Sequence, residues 1–122
     1  MGKGATNDPR AVVSAAPSYR LVYRVCRSNP PVLFDFFSHF RRGIKVRVAI
    51  PRAIDLSKGV SLWETEAQAR DLALRFPHTG YYIAAVAVPS NVRQERNPGS
   101  GHLSVWAEPE EMLEWVRGVV RV

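Results

Sequence analysis

One stretch, Tyr81 to Val88, constrains the fold more than any other part of the chain: Tyr-Tyr-Ile-Ala-Ala-Val-Ala-Val carries no charge. It is too short to span a bilayer as a helix, which takes about twenty apolar residues. Turn formers precede it (Pro77, His78, Thr79, Gly80), and a polar loop over residues 89–101, rich in Pro, Asn, Arg and Gly, follows it. The run therefore reads as the central strand of a sheet.

The other elements are arranged around it. Tyr19, Leu21, Tyr23 and Val25 alternate with Arg20, Val22, Arg24 and Cys26, the period of a strand, and two arginines fall on one face of it. Asn29-Pro30-Pro31 has the form of a helix start, and Val32, Leu33, Phe36, Phe37 and Phe40 follow three-four spacing up to Arg41-Arg42-Gly43. Ile44, Val46, Val48 and Ile50 alternate as a second extended segment, stopped by Pro51 and followed by a loop over residues 51–58. Thr65 and Gln68 form a capping box for a helix through Phe76, with Ala69, Leu72, Ala73 and Phe76 as its inner stripe. Leu103–Trp106 reads as a strand, Pro109–Val116 as a helix with acidic residues in its first turn, and Val119–Val122 as a closing strand.

The expected fold class is α+β: a small mixed or antiparallel sheet of about five strands with two or three helices, in one domain over residues 18–122. Residues 1–17 have no apolar periodicity and read as a disordered tail. With 46% hydrophobic and 23% charged residues among 122, the chain has the composition of one globular domain. No apolar signal region and no membrane-length run is present, so a cytoplasmic protein without a membrane partner is expected. The one cysteine, Cys26, excludes an internal disulfide and reads as a small core residue. His39, His78 and His102 do not have metal-ligand spacing, so no metal is expected.

Charge is distributed unevenly. Residues 1–58 hold 11 basic and 3 acidic residues; residues 59–122 hold 6 and 8. Fourteen of the 17 basic residues are arginine, whose planar fork of donors suits phosphate. A nucleotide or other anionic ligand is one reading. A nucleic-acid-binding module using Arg41, Arg42, Lys45, Arg47 and Arg52 is the alternative.

Three local features are candidates for a site. Tyr23-Arg24 puts an arginine on a mostly apolar strand, where it needs a partner: Asp35, Asp55 or a ligand phosphate. Gly59-Val60-Ser61-Leu62-Trp63 offers a hydroxyl and a flat aromatic face just before the capped helix. Gly101-His102-Leu103-Ser104-Val105-Trp106 places a histidine at a strand start beside a loop that carries Gln94-Glu95.

In their order, these three features resemble the ADP-ribosyltransferase-like fold over about residues 19–122. In that superfamily a first-strand Arg or His contacts NAD, a later Ser braces the nicotinamide side, and a Glu polarises the ribose hydroxyl. The resemblance implies NAD as substrate, with Arg24, Ser61, Tyr23 and Trp63 binding it and Glu95 or His102 in the catalytic role. It further implies a transferase, active or degenerate, since neither the usual Ser-Thr-Ser nor the usual Gln/Glu-x-Glu is present. The Ser61 and His102 segments are also similar to a Gly-Val/Leu-Ser-Val and Gly-His-x-Thr/Ser-Val-Trp pattern of small bacterial proteins, which implies a family but assigns it no particular activity.

Overall fold

A computed structural model describes residues 18–122. The tail expected over residues 1–17 lies outside the described residues. The described residues form one antiparallel sheet of six strands: β1 (Tyr19–Cys26), β2 (Val60–Trp63), β3 (Tyr82–Pro89), β4 (Gln94–Arg96), β5 (His102–Val105) and β6 (Val116–Arg121). Their order across the sheet is β4-β5-β2-β1-β3-β6. Among the described residues three α-helices accompany it: α1 (Pro51–Ser57), α2 (Glu66–Arg75) and α3 (Pro109–Glu114).

The apolar run is an interior strand, paired with β1 along its whole length from Tyr19↔Pro89 to Cys26↔Tyr82, and with β6 on its other side. Its alternate residues enter two cores. Ala84, Val86 and Val88 join Val22, Cys26, Phe36, Leu62 and Met112 on one face. Ile83 joins Val25 and the Ala69 and Ala73 stripe of α2 on the other. A strand buried on both faces has no room for a charged side chain, which accounts for its composition. Helix α2 starts at the expected place: the Thr65 side chain accepts from Gln68 N and the Gln68 side chain from Thr65 N. Phe76, expected on its inner stripe, is exposed because it lies beyond the last helical turn.

The sheet has six strands rather than about five, and the first half departs further from expectation. The spacing over residues 32–40 yields only a single 3-10 turn, Leu33–Phe36. An α-helix would need the Asp35 carbonyl to accept from His39 N. Arg24 Nε takes that carbonyl at 2.9 Å, and Phe37 leaves the helical region. The turn over residues 38–44 still closes on Gly43, at φ +78°, with Arg42 N donating to Ser38 O.

The alternating segment 44–50 joins no ladder, and Ile44, Val48 and Ile50 stay exposed. Pro51, read as a stop, is also a helix start: its fixed φ and missing N–H suit the first position of α1. Strand β4 forms where a loop was expected. It is held by the backbone register Gln94↔Val105, Glu95↔Ser104 and Arg96↔Leu103, which charged side chains do not signal. No helix among the described residues is long and apolar enough to cross a membrane.

Candidate functional site

Strands β1 and β2 pair at Tyr23↔Trp63 and then part. The Arg24 guanidinium fills the gap. Its Nε donates to Asp35 O, on the 3-10 turn, at 2.9 Å, and its Nη1 donates to Ser61 O, on β2, at 2.7 Å, so that a side chain joins the two strands there. Neither partner is a carboxylate: Asp35 is bound through its main-chain oxygen, and Asp55 is paired with Arg93 instead. Burial lowers the Arg24 pKa to about 10, partly offset by Cys26 and Asp35, so it remains a cation at neutral pH. Among the described residues no group takes Nη2.

Strands β2 and β5 bring the next two groups together. The pairs Ser61↔Ser104 and Trp63↔His102 place the Ser61 Oγ 2.9 Å from His102 Nε2. The Trp63 ring stands edge-on to the imidazole, centroids 5.2 Å apart. The pKa of His102 is lowered by burial, then by Arg24 and His39. That of His39 is lowered by burial, then by Arg42 and Arg24. Both imidazoles are therefore neutral at pH 7.

Two hollows adjoin at His39, Ser61 and His102 and make one cleft. The first, about 420 Å³, takes Arg24, Arg27, Arg42, Trp63 and His78 into its wall and, among the described residues, no carboxylate. The second, about 410 Å³, is edged by Arg52, Glu95, Arg96 and Asn97. A groove of about 440 Å³ between Phe36, Arg41, Lys58 and Glu108 has no histidine in its wall, and its charges Arg41 and Glu108 are already paired.

Of the residues expected at a site, Arg24, Ser61, Trp63 and His102 share the first hollow, while Ser61, Glu95 and His102 share the second. The Glu95 carboxylate is bound by both Arg52 amino groups, a bond that holds its pKa below the usual range. Tyr23 lines neither hollow and packs beside Trp63 against α2.

Sequence reasoning placed none of His39, Arg27 and Arg42 at this cleft, although Arg42 was among the cations of the nucleic-acid alternative. His39 and Arg42 belong to the stretch read as a helix and its end, and only the turn after Phe36 brings them to the cleft. The five cations expected to form one nucleic-acid surface are divided among different tasks. Arg41 pairs with Glu108, Arg52 with Glu95, and Arg42 lies over the Phe34 ring, 4.8 Å from its centroid. Lys45 and Arg47 stay exposed.

Among the described residues no group of three or more His, Cys, Asp or Glu is placed to hold a metal ion. Comparison with protein-family models, with curated proteins and with solved structures finds no match.

Proposed function

We propose that the cleft binds a nucleotide of the NAD type and that the chain is an ADP-ribosyltransferase-like domain. The observation that carries this reading is the convergence of Arg24, Ser61 and His102, from three different strands, on one cationic cleft. The cleft falls within the usual range for ligand sites, about 300–1,000 Å³.

In this reading NAD is a substrate. Arg24 holds a phosphate through Nη2, its other donors being fixed on the protein, so little ordering is left to complete on binding. Ser61 and Trp63 brace the nicotinamide ribose. His102 or Glu95 supplies the polar group at the glycosidic bond, and the ADP-ribosyl group passes to a macromolecular or small acceptor. His102 is the better placed of the two, because Glu95 must part from Arg52 before it can meet a ribose hydroxyl. The chain contributes positioning and electrostatics, and the reactive bond belongs to the nucleotide.

The test is a titration with NAD followed residue by residue by NMR. Resonances of Arg24, Ser61 and His102 should move together. Arg24→Lys should weaken binding roughly ten-fold or more, since an ammonium lacks the planar fork. Ser61→Ala should cost about one hydrogen bond, 0.5–1.5 kcal/mol. Shifts confined to residues 41–52 would replace this reading with the nucleic-acid one.

A further inference from the structure

We infer that Ser61 is a nucleophile, His102 its base, and an anionic phosphoester its electrophile. This goes beyond nucleotide binding and does not depend on NAD being the ligand. The geometry has the two parts that an activated hydroxyl needs. Ser61 Oγ and His102 Nε2 are 2.9 Å apart, within reach for proton transfer. Both sit on paired strands rather than loops, and Trp63, the register partner of His102, lies against the imidazole. With the proton on Nδ1, Nε2 accepts from the Ser61 hydroxyl. The hydroxyl is half-buried and faces the cleft.

The walls select the electrophile. Arg24, Arg27 and Arg42 border the hollow that Ser61 enters, and no carboxylate does so among the described residues. Arg24 is anchored through its Nε and Nη1, so its cation is fixed in place before a ligand arrives. Such a wall suits the non-bridging oxygens of a phosphoester, where charge is spread over several atoms, better than the single oxyanion of a carboxylic ester.

The reaction balances without a redox partner. As the Oγ–P bond forms, the Ser61 proton passes to His102 Nε2. The bond from phosphorus to the leaving oxygen breaks, and that oxygen takes the proton from His102. A water then displaces Ser61 Oγ from phosphorus, giving up its proton by the same route and restoring the hydroxyl. His39 lines the same waist of the cleft. The other charged or titratable groups in the walls are Arg24, Arg27, Arg42 and His78 on one side, and Arg52, Glu95 and Arg96 on the other.

The experiment treats the full chain with a fluorophosphonate reporter and reads intact mass and the modified peptide. Ser61 Oγ should displace fluoride from phosphorus and leave one phosphonyl group on Ser61. His102→Gln should slow the labelling on the order of a hundred-fold, the scale of a lost general base. Inorganic phosphate should slow it by competition. The labelling site in the unaltered chain decides the matter even if a variant folds poorly: absence of an adduct on Ser61 overturns the proposal. Labelling as fast in a folded His102→Gln as in the parent removes the base, and labelling unaffected by phosphate removes the phosphoester.

Discussion

Arg24 Nη1 donates to the main-chain oxygen of Ser61 at 2.7 Å, so the first strand reaches the site residue of the second through a side chain instead of a ladder bond. A guanidinium can do this and hold Asp35 O as well, because its donors diverge in one plane. Arg24→Lys leaves at least one of these carbonyls without its donor. The expected loss is about 1–3 kcal/mol, the cost of an unsatisfied buried group, read as a lower urea midpoint with unchanged slope. A variant as stable as the parent would show that water or a neighbour replaces the fork.

Asp35 fixes the other end of this arrangement. It is 3% exposed, and its two carboxylate oxygens accept from Arg27 N at 2.8 Å and Val32 N at 2.9 Å. Asp35→Ala removes both acceptors and should cost at least about 2 kcal/mol. Asp35→Asn keeps one acceptor and should fall between. Thermal unfolding of the three proteins gives the ranking, and equal midpoints would count against this clamp.

Phe36 is fully buried beside Val22, Leu62 and Met112 although it sits on a single 3-10 turn. Burial, not helix formation, thus holds this segment. Phe36→Ala should cost about 3–5 kcal/mol, a large part of the stability of a small domain. Denaturant unfolding tests it, and a loss below about 1 kcal/mol would mean that the core closes over the gap.

Local signals in the sequence carried the elements whose cause is local. Thr65 and Gln68 announce α2, and the uncharged run announces β3, because capping and two-sided burial act within a few residues. Of the helix expected over 32–40 only the turn Leu33–Phe36 forms: Phe37 is extended, and the Asp35 carbonyl at that break accepts from Arg24, on a different element, which no local spacing announces. The segment 44–50 has strand periodicity but lies away from the ladder and pairs with no strand, while β4 pairs with β5 and has no periodicity. The site follows the same division. Arg24, Ser61 and His102 stand out as polar groups on strands, whereas His39 reaches the cleft through a turn that its neighbours do not encode.

Cys26 is 1% exposed, and burial pushes its thiol up to about 12, with Asp35 adding to the shift and Arg24 opposing it. At pH 8 it is therefore a protonated thiol without solvent access. Iodoacetamide should leave it unmodified in the native chain and alkylate it fully in urea, as read by mass spectrometry. Rapid native alkylation would mean that the sheet opens at β1.

The two cleft histidines make stability depend on pH in a defined window. Burial lowers the pKa of His39 and of His102 below the ordinary 6.5, and the cations Arg24 and Arg42 lower them further. Below about pH 6.5 the unfolded chain takes up protons that the folded chain refuses, so stability is lost as pH falls from there through the folded values. Above the unfolded value both states are neutral and the effect vanishes. The shifted carboxylates Asp55, Glu64 and Glu95 are lowered from ordinary values of 3.8–4.5, so their contribution is lost only in more acidic solution. A urea midpoint measured at pH 7.5 and again at 5.5 should therefore drop, and His102→Gln should flatten part of that drop. If the midpoint is level over this range, or the variant keeps the full slope, His102 is not the neutral imidazole, flanked by a cation, that its burial beside Arg24 implies.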